Sequence, residues 1–132
     1  MPRAVWPLRH DQPTIQIVLS WPTGSQTVVR HLLADTGAGS ARSGFEMVLD
    51  EQDCTGAGGI PSQPVTLGGA YIGSFPVYAL RVRIPALQFD QHVRAVGVPV
   101  VPTGLDGLAG FRFLNRFTYG NFGDPGQFGL EA

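Results

Sequence analysis

Leu32-Leu33-Ala34-Asp35-Thr36-Gly37-Ala38-Gly39-Ser40 sets one carboxylate at the end of a short apolar segment and follows it at once with small residues. A sheet presents an acid at the tip of a turn in this way. The apolar residues commit the strand to a core, and the small residues let the chain reverse. The preceding sequence supplies the rest of that sheet. Residues 14–21 alternate, with Ile15, Ile17 and Leu19 on one face and Gln16, Val18 and Ser20 on the other. Pro22-Thr23-Gly24-Ser25 reads as a turn, and residues 26–34 as the second strand of a hairpin.

The same punctuation continues outward. Residues 1–13 carry Pro and Arg and read as an extended N-terminal arm. Residues 45–49 form a short apolar strand, and Gly56-Ala57-Gly58-Gly59-Ile60-Pro61 a loop or hairpin tip. Residues 64–67 and 71–75 are strands broken by Gly68-Gly69. Residues 77–84 alternate strongly, and 89–100 form another strand region. A single helix is predicted, at 111–117, where Phe113, Leu114 and Phe117 share helical spacing and Arg112 and Arg116 lie four apart. The tail is a hairpin of 118–122 and 127–131 around Gly123-Asp124-Pro125-Gly126. There is no strand–helix alternation and no repeat at a solenoid period. The pattern predicts one mostly-β, barrel-like domain over residues 1–132.

Composition agrees. With 132 residues the chain suits one domain and buries about two thirds of its unfolded surface. Eighteen Gly and 11 Pro argue against a helical bundle, because both weaken helix interiors. Hydrophobic residues make up 43% and charged residues 14%, which separates the chain from disordered sequences. A net charge of −1 offers no basic footprint for nucleic acid or an anionic membrane. All nine basic residues are Arg. The single Cys54 cannot form an internal disulfide and fits a reducing compartment. No apolar run reaches the roughly 18 residues of a membrane span, and the N-terminus lacks the apolar stretch of a signal peptide. The expected location is cytoplasmic.

A second segment, Gly104-Leu105-Asp106-Gly107-Leu108-Ala109-Gly110-Phe111-Arg112-Phe113-Leu114, lies about seventy residues after the first. Together the two resemble the signature segments of the retroviral-type (retropepsin-like) aspartic proteases. The Leu-Leu-Ala stretch puts Asp35 at a strand end. Leu108-Ala109-Gly110 and the residues after it resemble the family's apolar-apolar-Gly loop and C-terminal helix, and the Gly-rich segment at 56–60 lies between, where the family carries its flap. High Gly and Pro and the lack of Lys fit a bacterial cellular member better than a viral one.

The resemblance implies a single-lobe acid-protease β-barrel that assembles as a two-fold homodimer. It implies an aspartic endopeptidase acting on peptide or protein substrates with no cofactor and no metal. No second Asp-Thr-Gly or Asp-Ser-Gly occurs in the chain, so each subunit supplies half a dyad. Asp35 is the catalytic acid and base, Thr36 bonds across the axis, and Gly37 keeps the carboxylates uncrowded. Ala38 replaces a hydroxyl that would lower the Asp pKa, which implies a milder pH optimum than that of pepsin-type enzymes. Ala57, Gly58, Gly59 and Ile60 stand for the flap tip, with Pro61, Pro64 and Gly68-Gly69 open as parts of a longer flap. Leu33, Ile60 and Leu108 are candidates for subsite walls or for plain core. Asp106 reads as a turn or interface residue. His10, His31 and His92 show no metal-ligand spacing, and Cys54 has no neighbouring base. The alternative is a protease-like dimerisation or peptide-binding module that no longer cuts.

Overall fold

The computed structural model describes residues 1–22, 26–69, 72–101 and 104–132. Thr23, Gly24 and Ser25 of the expected turn, and Tyr71 of the expected strand at 71–75, lie outside the described residues. Ten strands, two short α-helices and one 3-10 turn occur among the described residues.

The first hairpin follows the alternation. β2 (Thr14–Ser20) pairs antiparallel with β3 (Thr27–Ala34), in register from Thr14 opposite Leu33 to Ser20 opposite Thr27. Ile15, Ile17 and Leu19 are fully buried. Before it, β1 (Arg3–Pro7) pairs antiparallel with β10 (Gln127–Glu131), which also pairs with β9 (Thr118–Gly120). The N-terminal arm is extended over Arg3–Pro7, the edge strand of a three-stranded sheet, but not throughout. Arg9 and Gln12 exchange backbone hydrogen bonds of 3.1 and 2.9 Å around a tight turn with positive φ at His10 and Asp11.

Six strands close a barrel in the order β2, β3, β8 (Gly107–Ala109), β4 (Met47–Asp50), β7 (Phe89–Val98) and β6 (Gly73–Ile84). Closure comes from β6 returning to β2, with Val18 opposite Arg83 and Leu19 opposite Val82. β8 is inserted between β3, to which it runs parallel, and β4, to which it runs antiparallel. Only glycine fits at Gly107, because a Cβ there would stand 2.3 Å from the Val48 carbonyl.

Apolar residues pack on both sides of the barrel wall. Met47, Leu49, Val93, Ala95 and Ala109 join the interior core, where Phe113 and Leu114 are fully buried. Their sequence neighbours Val48, Val96 and Leu108, together with Val98, face the other way, into a second cluster with Val77. Partly buried Leu33, Phe45, Val65, Leu67 and Phe75 cover it. Strands buried on both faces read as continuous apolar runs rather than alternation.

β5 (Ile60–Leu67) extends the sheet as an antiparallel partner of β6. It is mostly exposed and its register shifts between Ser62 and Val65, as suits an edge strand carrying Pro61 and Pro64. β6 itself runs without a break from Gly73 to Ile84, joining residues 73–75 of one expected strand to the one expected at 77–84.

Two helical expectations are corrected. The C-terminal helix is the single turn α2 (Phe111–Leu114), held by the aromatic contacts of Phe113 with Phe89 and Phe117 at 5.5 and 5.4 Å between ring centres. It is not the only helix. Glu51–Gly56 forms α1, whose N-terminus is capped by the Asp50 carboxylate accepting the Gln52 N–H at 2.8 Å. Glu51 and Asp53 add favourable charge in its first turn. No helix among the described residues is long and apolar enough to cross a membrane.

Candidate active site

The Asp35 turn begins where β3 leaves its parallel partner β8. Leu33 lies opposite Leu108 and Ala34 opposite Ala109. The Asp35 N–H continues that ladder, donating to the Ala109 carbonyl at 2.9 Å. The chain then reverses, with the Ala38 N–H donating to the Asp35 carbonyl at 3.2 Å. On the far side of the turn the Ala38 carbonyl accepts the Phe111 N–H at 2.9 Å. Both ends of the turn are therefore tied to the chain running from β8 into α2. Gly110 sits between them, and a Cβ there would meet the Ala38 carbonyl at 2.9 Å.

The Asp35 carboxylate is half-buried, and its Oδ1 accepts the Gly37 N–H at 3.0 Å. A side chain at position 37 would crowd that same oxygen, at 3.3 Å. Thr36 and Gly37 are exposed at the turn's tip. Beside the turn lies a cleft of about 440 Å³, floored by Val48 and Leu108 and flanked by Ala38, Phe45 and Leu67. Asp35 is the only ionisable group among its described lining residues. Such a cleft pairs one carboxylate with an apolar floor, which suits a ligand with apolar groups of its own.

The structure brings Asp35, Gly37, Ala38 and Leu108 to this cleft. Leu33 packs against its apolar floor cluster. The segment at 56–60 goes elsewhere, which corrects the expected position of the hairpin tip. Residues 57–59 are the turn from α1 into β5, and Ile60 is an exposed residue at the start of β5. Gly56 lies under the Trp21 indole, Gly58 against Pro22, and Gly59 against Tyr78 and the Cys54 carbonyl. Ala57 packs on the main core. These glycines are required by close packing, not by a mobile tip. The hairpin that reaches the cleft is β5–β6, which contributes Thr66, Leu67, Gly68 and Gly69. Gly68-Gly69 between two strand-like runs is the signal that could have located it.

The other candidate residues take supporting places. Asp106 lies outside the Asp35 cleft; its Oδ2 accepts the His31 N–H at 2.8 Å and its own N–H donates to the His31 carbonyl at 2.9 Å. It pins the start of β8 to β3. His31 approaches Arg9, with Nε2 3.0 Å from Nη2. Burial holds the His31 pKa below its ordinary value, Arg9 adds to that, and Asp106 opposes it. Cys54 is buried, and burial together with Asp53, Asp50 and Glu51 pushes its thiol up to about 12. A second, polar cleft of about 550 Å³ is lined by Arg30, Asp50, Asp53 and Asp106. Arg30 there is occupied by Asp53, through Nε–Oδ2 at 2.8 Å and Nη2–Oδ1 at 3.0 Å. Among the described residues, no group of three or more His, Cys, Asp or Glu is placed to hold a metal ion.

Compared with known protein families, with curated proteins and with solved structures, the chain matches none.

Proposed function

We propose that this chain is an aspartic endopeptidase of the retropepsin-like kind, active as a homodimer in which each subunit contributes Asp35. The observation that carries the reading is the suspension of the Asp35 turn on Ala109 and Phe111, at the mouth of a cleft with no other ionisable group among its described lining residues.

A single carboxylate cannot act as acid and base at once on the same peptide. Two Asp35 side chains brought together across a two-fold axis can. Like charges at short range cannot both ionise comfortably, so the pair shares one proton. The ionised member takes a proton from a trapped water while the protonated member polarises the scissile carbonyl, as in aspartic proteases generally. The exposed position of Thr36 and Gly37 leaves the turn's tip accessible to a second copy. The β5–β6 hairpin, ending in Gly68-Gly69 beside the cleft, is the segment suited to cover a bound peptide.

The test is cleavage of a mixed peptide library between about pH 4 and 7, the range in which carboxylate dyads work, beside an Asp35→Ala variant. Cutting by wild type alone is the expected result. Cutting by neither protein, or equally by both, overturns the proposal.

A further inference from the structure

We infer that the Glu46–Arg116 ion pair positions the Asp35 turn for catalysis, an inference that rests on the aspartic-protease reading above. Glu46 stands just before β4 and is 3% exposed, among the few charged residues buried in this chain. Its Oε1 accepts Arg116 Nε at 3.0 Å, and Nη2 of the same guanidinium closes on that oxygen as well. Its Oε2 accepts the Arg94 N–H at 3.2 Å, and its own N–H donates to the Arg94 carbonyl at 2.8 Å. Arg116 comes from the chain just after α2, and its Nη1 donates to Gln91 Oε1 at 3.1 Å. The pair therefore clamps the entry of β4, the strand β7 and the exit of α2 to one another.

What the clamp holds is the underside of the active turn. The Glu46 carbonyl accepts the Gly110 N–H at 2.8 Å. The residues on either side of Gly110 hold the turn itself, Ala109 through the Asp35 N–H and Phe111 through the Ala38 carbonyl. Gly110 is thus wedged between the Glu46 backbone and the Asp35 turn, with no room for a side chain. Any shift of Glu46 is carried to Asp35 through three backbone hydrogen bonds. Neither Glu46 nor Arg116 is among the described lining residues of the cleft.

The Glu46 carboxylate is buried while the Arg116 side chain is 34% exposed, and desolvation of a buried charge offsets much of such a pair's attraction. In some proteins such pairs serve to specify one arrangement. A dyad that shares a proton across an axis tolerates little displacement, and misplacement of about 1 Å costs on the order of 10²-fold in rate. Glu46 and Arg116 are accordingly positioning residues.

The experiment compares Arg116→Met, Arg116→Lys and Glu46→Gln with wild type. Leu130→Ala, on β10, whose side chain lies in the common core but whose strand makes no backbone bond to the Asp35 turn, serves as a control for lost stability. The expected result is a fall in kcat of about tenfold or more in Arg116→Met and Glu46→Gln, with KM held within about twofold. Arg116→Lys recovers part of the loss. Amide hydrogen exchange quickens at Asp35, Gly110 and Phe111 relative to β10. Should Arg116→Met not fold, Glu46→Gln carries the test, because it keeps an acceptor in place. An unchanged kcat in Glu46→Gln, or an equal kcat loss in Leu130→Ala, overturns the inference. Absence of cleavage by wild type overturns the aspartic-protease reading and this inference with it, and so is told apart from failure of the clamp alone.

Discussion

The Gly110 N–H donates to the Glu46 carbonyl at 2.8 Å while a Cβ on Gly110 would stand 2.9 Å from the Ala38 carbonyl. One residue without a side chain thus joins the barrel wall to the turn that carries Asp35. Its φ of −83° is open to any residue, so the demand for glycine is steric and not conformational.

Gly110→Ala is accordingly expected to lower stability by about 1–3 kcal/mol through overpacking, and to lower activity with it. Gly68→Ala is the comparison, because a Cβ there meets nothing within 4 Å. It should stay within about 0.5 kcal/mol of wild type. Denaturant midpoints for the two variants check this, and equal losses would remove the packing argument.

The proposed sharing of one active site by two subunits makes a stoichiometric prediction. Asp35→Asn keeps an oxygen to accept the Gly37 N–H, so the turn should survive. Mixed in equal amounts with wild type and allowed to exchange, random pairing leaves about a quarter of the dimers with two carboxylates. Activity should then fall to about half of that shown by the same wild-type protein alone. Activity unaffected by the inactive partner would mean that each chain works by itself.

Removing Arg30 should expose the cost of burying Asp53, which is 8% exposed. Arg30→Met leaves that carboxylate without its bidentate partner, at an expected cost of about 1–3 kcal/mol. Adding Asp53→Leu should recover much of it, since an apolar pair leaves no orphaned charge. Thermal melts of the single and double variants measure the difference.

Cys54 gives a prediction in pH. Its thiol is pushed from an ordinary value of 9.0 up to about 12 in the folded chain. The folded state therefore prefers the protonated thiol, and that contribution to stability is complete below about pH 9. It is lost as pH rises from about 9 towards 12, where the unfolded thiol ionises first. Cys54→Ala should flatten the alkaline decline of stability across that window, as read from urea midpoints. The same burial should keep Cys54 unreactive towards alkylating reagents until the protein unfolds.

The first hairpin was legible because one of its faces is buried and the other is not. Ile15, Ile17 and Leu19 alternate with Gln16, Val18 and Ser20, and a period of two places every second side chain on the same face of a strand. The Asp35 turn, the apolar Leu108 and Gly110 were legible as motifs. α1 was not, because six residues with Cys54 as the only apolar side chain show no helical period. Its one signal was Asp50 ahead of Glu51 and Asp53. The hairpin tip was misplaced because glycines have two uses. At 56–59 they admit Trp21, Pro22 and Tyr78 against the backbone, whereas Gly68 and Gly69 border open space.

By itself the sequence determined that this chain is mostly strand, where its first hairpin lies, and that one acid stands at the end of that hairpin. These are local properties, carried by alternation and by the residues a turn tolerates. Which other residues surround Asp35 was decided only in three dimensions. β8 is three residues long and owes its existence to slotting between β3 and β4, partners separated from it by more than fifty residues. No local pattern encodes such a contact, because its stability comes from hydrogen bonds and apolar burial that arise only when the barrel closes.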